Sequence, residues 1–156
     1  MKINIISIGT RMPTWVNEGY QEYAKRLNNE LSLNLIELPL EKRSKNTDLK
    51  RCLEHEGKSM LAAIPPNDHV IALDVNGHSW STEQLAIQLQ KWCQDRRNVS
   101  LLIGGPDGLA SSCSTRAENT WSLSLLTFPH PLVRIIVAEQ IYRAWSILKQ
   151  HPYHRD

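Results

Sequence analysis

Apolar runs rich in Ile, Leu and Val alternate along this chain with stretches of helical period. Lys2–Ile8 predicts a first strand that stops at Gly9. Beyond Pro13, the positions Val16, Tyr20, Tyr23 and Leu27 recur at the 3.6-residue spacing of one helix face. Leu31, Leu33 and Leu35 alternate as a half-buried strand does, and Leu38-Pro39 closes that run. Next comes a helix that Asn46 or Thr47 can cap, with Leu49, Leu53, Met60 and Ile64 as its apolar face and Pro65-Pro66 as its stop. Val70–Leu73 predicts a short buried strand ended by a turn at Asn76-Gly77. Ser81 with Gln84 forms a capping box for a helix bearing Leu85, Leu89 and Trp92. Val99–Ile103 is the next strand, running into Gly104-Gly105-Pro106-Asp107-Gly108. A short helix within 110–118, a last strand over Trp121–Leu126 and a long helix over Pro131–Lys149 complete the pattern, with Pro131 suited to a first helical turn.

This alternation is that of an α/β fold, a mostly parallel sheet flanked by helices. With 156 residues, no repeat and no linker-like tract, residues 1–156 are expected to form one domain. Hydrophobic residues make up 41% and charged ones 22%, as in an ordinary globular protein, and no apolar run reaches the roughly 20 residues of a membrane span. The chain enters a strand directly from Met1, without the pattern of a signal peptide, which predicts a cytoplasmic protein. Cys52, Cys93 and Cys113 are odd in number and far apart, so free thiols in a reducing compartment are expected, and no metal site. The net charge of +2 permits nucleic acid without requiring it.

Two late segments stand where open α/β sheets bind ligands, beyond the carboxyl ends of strands. In Leu101–Gly108 a buried strand opens into glycines, which serves either a tight turn or the close approach of backbone to a ligand. It lacks both the G-x-G-x-x-G of dinucleotide sites and the G-K-[ST] of P-loops. In Ser122–Pro131, two prolines exclude further strand pairing while the apolar content is too high for a solvated loop. That segment is either a buried strand leading into a helix, or a pocket wall whose backbone groups and apolar side chains suit an adenine and a thioether.

Several motifs carry a resemblance: Leu101–Leu109, Trp121-Ser122-Leu123-Ser124, Pro129–Arg134, the tail His151–Asp156, and Gly9–Trp15 near the start. Together they resemble the RlmH family, bacterial large-subunit ribosomal RNA pseudouridine N3-methyltransferases within the SPOUT superfamily, over the whole chain. The resemblance implies a C-terminal trefoil knot, a homodimer, S-adenosyl-L-methionine as cofactor, no metal, and ribosomal RNA in the assembled ribosome as substrate. It implies cofactor loops at Leu73-Asp74, at Gly104 and Gly105, and at Leu123, Ser124, Leu125, Leu126, Thr127 and Phe128. It also implies that the tail reaches the active site of the dimer. A related knotted methyltransferase acting on another RNA such as tRNA, and a non-catalytic ribosome-binding factor of the same fold, are the alternatives.

Catalytic candidates follow from the same resemblance. Six residues at a chain end are usually frayed, yet Tyr153 can stack on a base, His154 can orient or handle a proton, and Arg155 can hold phosphate or a developing anion. Glu139 is four residues from Arg143, so it is either an ordinary helix ion pair or a contact for the donor's amino group or the target base. His130 serves either substrate or the start of the last helix. Lys42, Arg43, Lys45, Lys50 and Arg51 form a patch suited to RNA phosphates, and the five tryptophans are expected as core or interface anchors.

Overall fold

A computed structural model describes residues 1–155. In chain order the elements are β1 (Lys2–Ile8), α1 (Thr14–Ala24), β2 (Ser32–Leu38), α2 (Leu49–Ala63), β3 (His69–Ser79), α3 (Thr82–Gln94), β4 (Val99–Ile103), α4 (Ser111–Arg116), β5 (Asn119–Ser122) and α5 (His130–Leu148), followed by a 3₁₀ turn over Pro152–Arg155. The five strands form one sheet in the order β2-β1-β4-β3-β5, and every neighbouring pair is parallel.

The apolar residues at successive positions of β1 and β4 are explained by burial on both faces. Ile3, Ile5, Ile71, Leu101 and Ile103 point to the side where Tyr20 of α1, Leu85 and Leu89 of α3 and Val137 and Ile141 of α5 pack. Ile6, Ile8, Val70 and Leu102 point to the other, against Met60 of α2 and Cys113 of α4. The polar positions inside these strands have partners: Asp68 accepts from Asn4 Nδ2 at 3.1 Å and from Ser100 Oγ at 2.7 Å. Trp92, Trp121 and Trp145 are buried anchors, with Trp80 packed on the rings of Trp92 and Trp121, whereas Trp15 is 54% exposed. All three cysteines are free.

Several expected boundaries change. Asp48, rather than Asn46 or Thr47, caps α2 by accepting from the Lys50 N–H. The buried stripe of α2 is Cys52, Glu56 and Met60, while Leu49 is exposed, because Glu56 is drawn inward to an arginine partner. Asn76-Gly77 is no turn; β3 continues through it with a register break in which Leu73 and His78 both align with Trp121. Gly77 is needed there for close approach, since a Cβ would lie 2.7 Å from the Thr120 carbonyl carbon. The last strand is Asn119–Ser122 and ends before Leu123, and α5 begins one residue before Pro131.

Arg134 of α5 is fully buried, donating to Glu37 Oε2 at 2.8 Å and Ser7 Oγ at 3.1 Å, and so ties α5 to the carboxyl ends of β1 and β2. Replacing it with Ala removes a large packed side chain and leaves Glu37 without its cation. The Arg134→Ala variant is expected to lose about 3 kcal/mol of stability, read as a lowered denaturant midpoint at unchanged slope.

Candidate active site

Beyond the carboxyl ends of β3 and β4 lies a cleft of about 510 Å³. Three segments wall it: 73–75 at the β3 register break, 103–109 after β4, and 121–133 from β5 into α5. The first wall exists because β3 leaves its ladder there, bringing Asp74 and Val75 to the cleft with Leu73.

The second wall is a tight turn. Gly108 N–H donates to the Gly105 carbonyl at 3.0 Å, with Pro106 at the second position, where its fixed φ belongs, and Gly108 at a φ of +82°. A Cβ on Gly104 would lie 2.4 Å from the Gly108 carbonyl carbon, so this position admits no side chain without moving the turn. Gly105 has more room: its Cβ would meet Ile8 Cγ2 and Leu40 Cδ1 at 3.2 Å. The glycines therefore form a tight turn that is also the wall of a cleft.

In the third wall, Ser122 Oγ donates to the Ser124 carbonyl and Leu126 N–H donates to Ser124 Oγ, each at 3.0 Å. These local bonds satisfy the backbone that the ladder no longer holds. Leu123, Ser124, Leu126, Thr127 and Phe128 line the cleft; Leu125 does not, being 86% exposed and turned to solvent. Apolar side chains around a few backbone polar groups, at this size, suit a nucleoside with an apolar appendage.

His130 sits at the same wall, its ring against Gly9. Burial, and then the charge of Arg134, hold its imidazole below the ordinary value, so it is neutral at neutral pH and able to accept a hydrogen bond or a proton. In the unfolded chain the ring takes its proton near pH 6.5, earlier on acidification than in the folded protein. The unfolded state then binds more protons, so His130 contributes a loss of stability as pH falls below about 6.5. Denaturant midpoints measured near neutrality and near pH 5 are expected to differ less in His130→Gln than in the wild type.

The tail lies elsewhere. Tyr153 packs on Tyr142 with ring centroids 4.6 Å apart, under the guanidinium groups of Arg143 and Arg26 at 4.8 and 5.5 Å. Its hydroxyl donates to Glu139 Oε1 at 3.0 Å, and burial together with that carboxylate pushes the phenol up to about 12, so it stays a donor. Glu139 also accepts from Arg143 Nε and Gln140 Nε2, both at 2.8 Å. Nine residues of helix, roughly 14 Å, separate Glu139 from His130. Within one chain Tyr153 is joined to Glu139 and Tyr142, and none of Glu139, Tyr153, His154 and Arg155 lines the cleft. Asp156 lies outside the described residues.

A family model described as "Predicted SPOUT methyltransferase" matches residues 1–154. The chain belongs to the SPOUT methyltransferase family. Among its relatives is a protein of Marinomonas sp. (strain MWYL1) named ribosomal RNA large subunit methyltransferase H, 57% identical, with 99% of this chain and 100% of the relative covered. One of the same name from Methylococcus capsulatus (strain ATCC 33009 / NCIMB 11132 / Bath) is 55% identical over the same shares. A solved structure of a probable methylase family protein from Haemophilus influenzae Rd KW20 shares the fold with a TM-score of 0.55 at 11% identity, covering 97% of this chain and 69% of that one.

Membership of the SPOUT methyltransferases implies a methyl-donor cofactor, and the apolar cleft with its backbone-rich walls is the place whose chemistry fits one. Leu73, Gly104 and Gly105 of the expected cofactor set line it alongside the five residues of the third wall. Val75, Leu109 and Val133 line it as well and lie outside the expected cofactor set. Their signal is faint: an apolar residue beside a loop resembles any core position. Among the described residues there is no cluster of His, Cys, Asp and Glu able to hold a metal, and no helix is long and apolar enough to cross a membrane.

Proposed function

We propose that this chain is a cytoplasmic, single-domain S-adenosyl-L-methionine-dependent methyltransferase that methylates N3 of a pseudouridine in 23S ribosomal RNA, acting on the assembled ribosome. The observation that carries the reading is the cleft, whose glycine turn and Leu123–Phe128 segment offer backbone groups between apolar walls, in a chain 57% identical end to end to a ribosomal RNA large subunit methyltransferase H. Bound there, the donor supplies an activated methyl on a sulfonium, so no metal is needed. The reading includes the trefoil threading of the C-terminal segments.

Three groups of residues divide the work. The glycine turn and the third wall hold the donor with its methyl facing the open mouth, excluding water on the apolar side. Tyr153 stacks on the target base, His154 orients it or takes the N3 proton, and Arg155 holds phosphate or the developing anion. Glu139 fixes the Tyr153 hydroxyl, so the ring arrives oriented. Since one chain keeps the tail apart from its own cleft, a second copy is required to bring a tail to it.

That requirement makes the protein a homodimer. Leu132, 37% exposed at the start of α5, and Leu126, 67% exposed in the third wall, leave apolar surface beside the cleft for a partner. Sedimentation is expected to show a dimer at micromolar concentration; an active monomer contradicts the shared site. RNA phosphates then fall to Lys42, Lys45, Lys50 and Arg51, which are exposed around the start of α2. The function is tested by mass spectrometry of ribosomal RNA from cells with and without the gene. The expected result is one methylated pseudouridine of large-subunit RNA that disappears with the gene. Loss of a tRNA methylation instead, or of none, contradicts it.

A further inference from the structure

We propose that Arg43 is a positioning residue for the donor cleft, shaping the glycine turn from outside through Asp107. The inference rests on the reading of that cleft as the methyl-donor site. By sequence Arg43 belongs with the cations around the start of α2, but its guanidinium is already engaged within the protein. Nη1 donates to the Glu41 carbonyl at 2.7 Å and to Glu56 Oε2 at 3.0 Å, and Nη2 donates to Glu56 Oε1 at 3.2 Å. Glu56 is 3% exposed on α2 and also accepts from the Glu41 N–H at 3.1 Å. A buried carboxylate on a helix thus fixes the guanidinium plane by a two-pronged contact, the geometry in which arginine is most rigid. The remaining edge, Nε, donates to Asp107 Oδ2 at 2.7 Å.

Asp107 lies between Pro106 and Gly108 in the turn that walls the cleft. Its neighbours on both sides line the cleft and it does not. Its carboxylate is held outward by Arg43, and Leu40 of the same loop lies close to Gly105. The turn is therefore braced from outside at two points, one apolar and one charged. Four hydrogen bonds to protein leave Arg43 unable to grip a phosphate with both amino groups at once. Its contribution goes to the position of the Gly104–Gly108 backbone, where small shifts change how closely a ligand can lie.

The test uses the full chain with Asp107→Asn, Arg43→Lys and the double variant, titrated with S-adenosyl-L-methionine by calorimetry and assayed for transfer to ribosomes. Asp107→Asn keeps size and turn preference, so it remains informative should Arg43→Lys fold poorly. Each single variant is expected to weaken donor binding about five- to tenfold, and the double no further than the weaker single, as for two ends of one contact. KM for the donor is expected to rise while kcat at saturating donor stays within about twofold, a split that mere loss of folded protein does not produce. Wild-type affinity in both single variants, or losses that add in the double, would overturn the proposal. A wild-type protein that binds no S-adenosyl-L-methionine would instead overturn the donor reading on which it rests.

Discussion

Gly104→Ala is expected to abolish donor binding while the protein stays folded. The added Cβ would sit 2.4 Å from the Gly108 carbonyl carbon, 2.5 Å from its oxygen and 2.8 Å from the Leu109 nitrogen, all backbone atoms that no rotamer change can move. Relief requires opening the turn closed by the Gly108 N–H, and that turn is one wall of the cleft. Affinity for S-adenosyl-L-methionine should fall at least about 100-fold, equivalent to about 2.7 kcal/mol. Gly105→Ala is the contrasting case. Its Cβ would approach only the tips of Ile8 and Leu40, at 3.2 Å, which can give by a few tenths of an ångström. A loss below about tenfold is expected there. Calorimetric titration of both variants, with thermal unfolding as the control for folding, checks the contrast. Equal affinities in the two would remove the glycine turn from the donor site.

Removal of Tyr153–Asp156 is expected to have an equally large effect, on transfer rather than on binding. The described part of this tail makes one ring contact with Tyr142, lies beneath two guanidinium groups and gives one hydrogen bond to Glu139, all on partly exposed surface. Losing these should cost only about 1–2 kcal/mol of stability. Donor affinity should stay near wild type, because no described tail residue lines the cleft of its own chain and the roles proposed for a partner's tail fall on the RNA. Methyl transfer should fall by about 10³-fold or more, since stacking, orientation and charge stabilisation are removed together. Tyr153→Phe, which keeps the ring and loses the hydroxyl with its bond to Glu139, should be milder than Tyr153→Ala. Single-turnover transfer at saturating donor checks all three, and wild-type rates from the truncated chain would place the reacting groups elsewhere.

How far the sequence speaks differs by region, for physical reasons. β1, β4 and α3 are read correctly because local signals agree with burial: Ile-, Leu- and Val-rich strands covered on both faces, and a capping box in which Ser81 and Gln84 exchange bonds. α2 is misread because its inner face includes Glu56, whose burial depends on Arg43, a partner distant in sequence. Asn76-Gly77 carries a turn signature, yet Gly77 answers to the close approach of Thr120, a tertiary demand that no local pattern reports. The cleft is visible in outline because its walls are contiguous segments, whereas the outward turn of the Leu125 side chain, set by the Ser124 bonds, has no mark in the local pattern. The tail cluster was least visible. Tyr153 folds back on Glu139 and Tyr142 through a 3₁₀ turn whose only sequence mark is Pro152.

Methyl transfer to ribosomes that lack the modification tests the proposed function most directly. Purified protein, S-adenosyl-L-methionine carrying a labelled methyl, and ribosomes lacking the modification are combined, and the large-subunit RNA is digested and analysed by mass spectrometry. The predicted result is label on N3 of a single pseudouridine, present with wild-type protein, absent with Gly104→Ala and absent with the tail-truncated chain. Label that persists in both variants, or that appears in added tRNA and not in ribosomal RNA, would contradict the account.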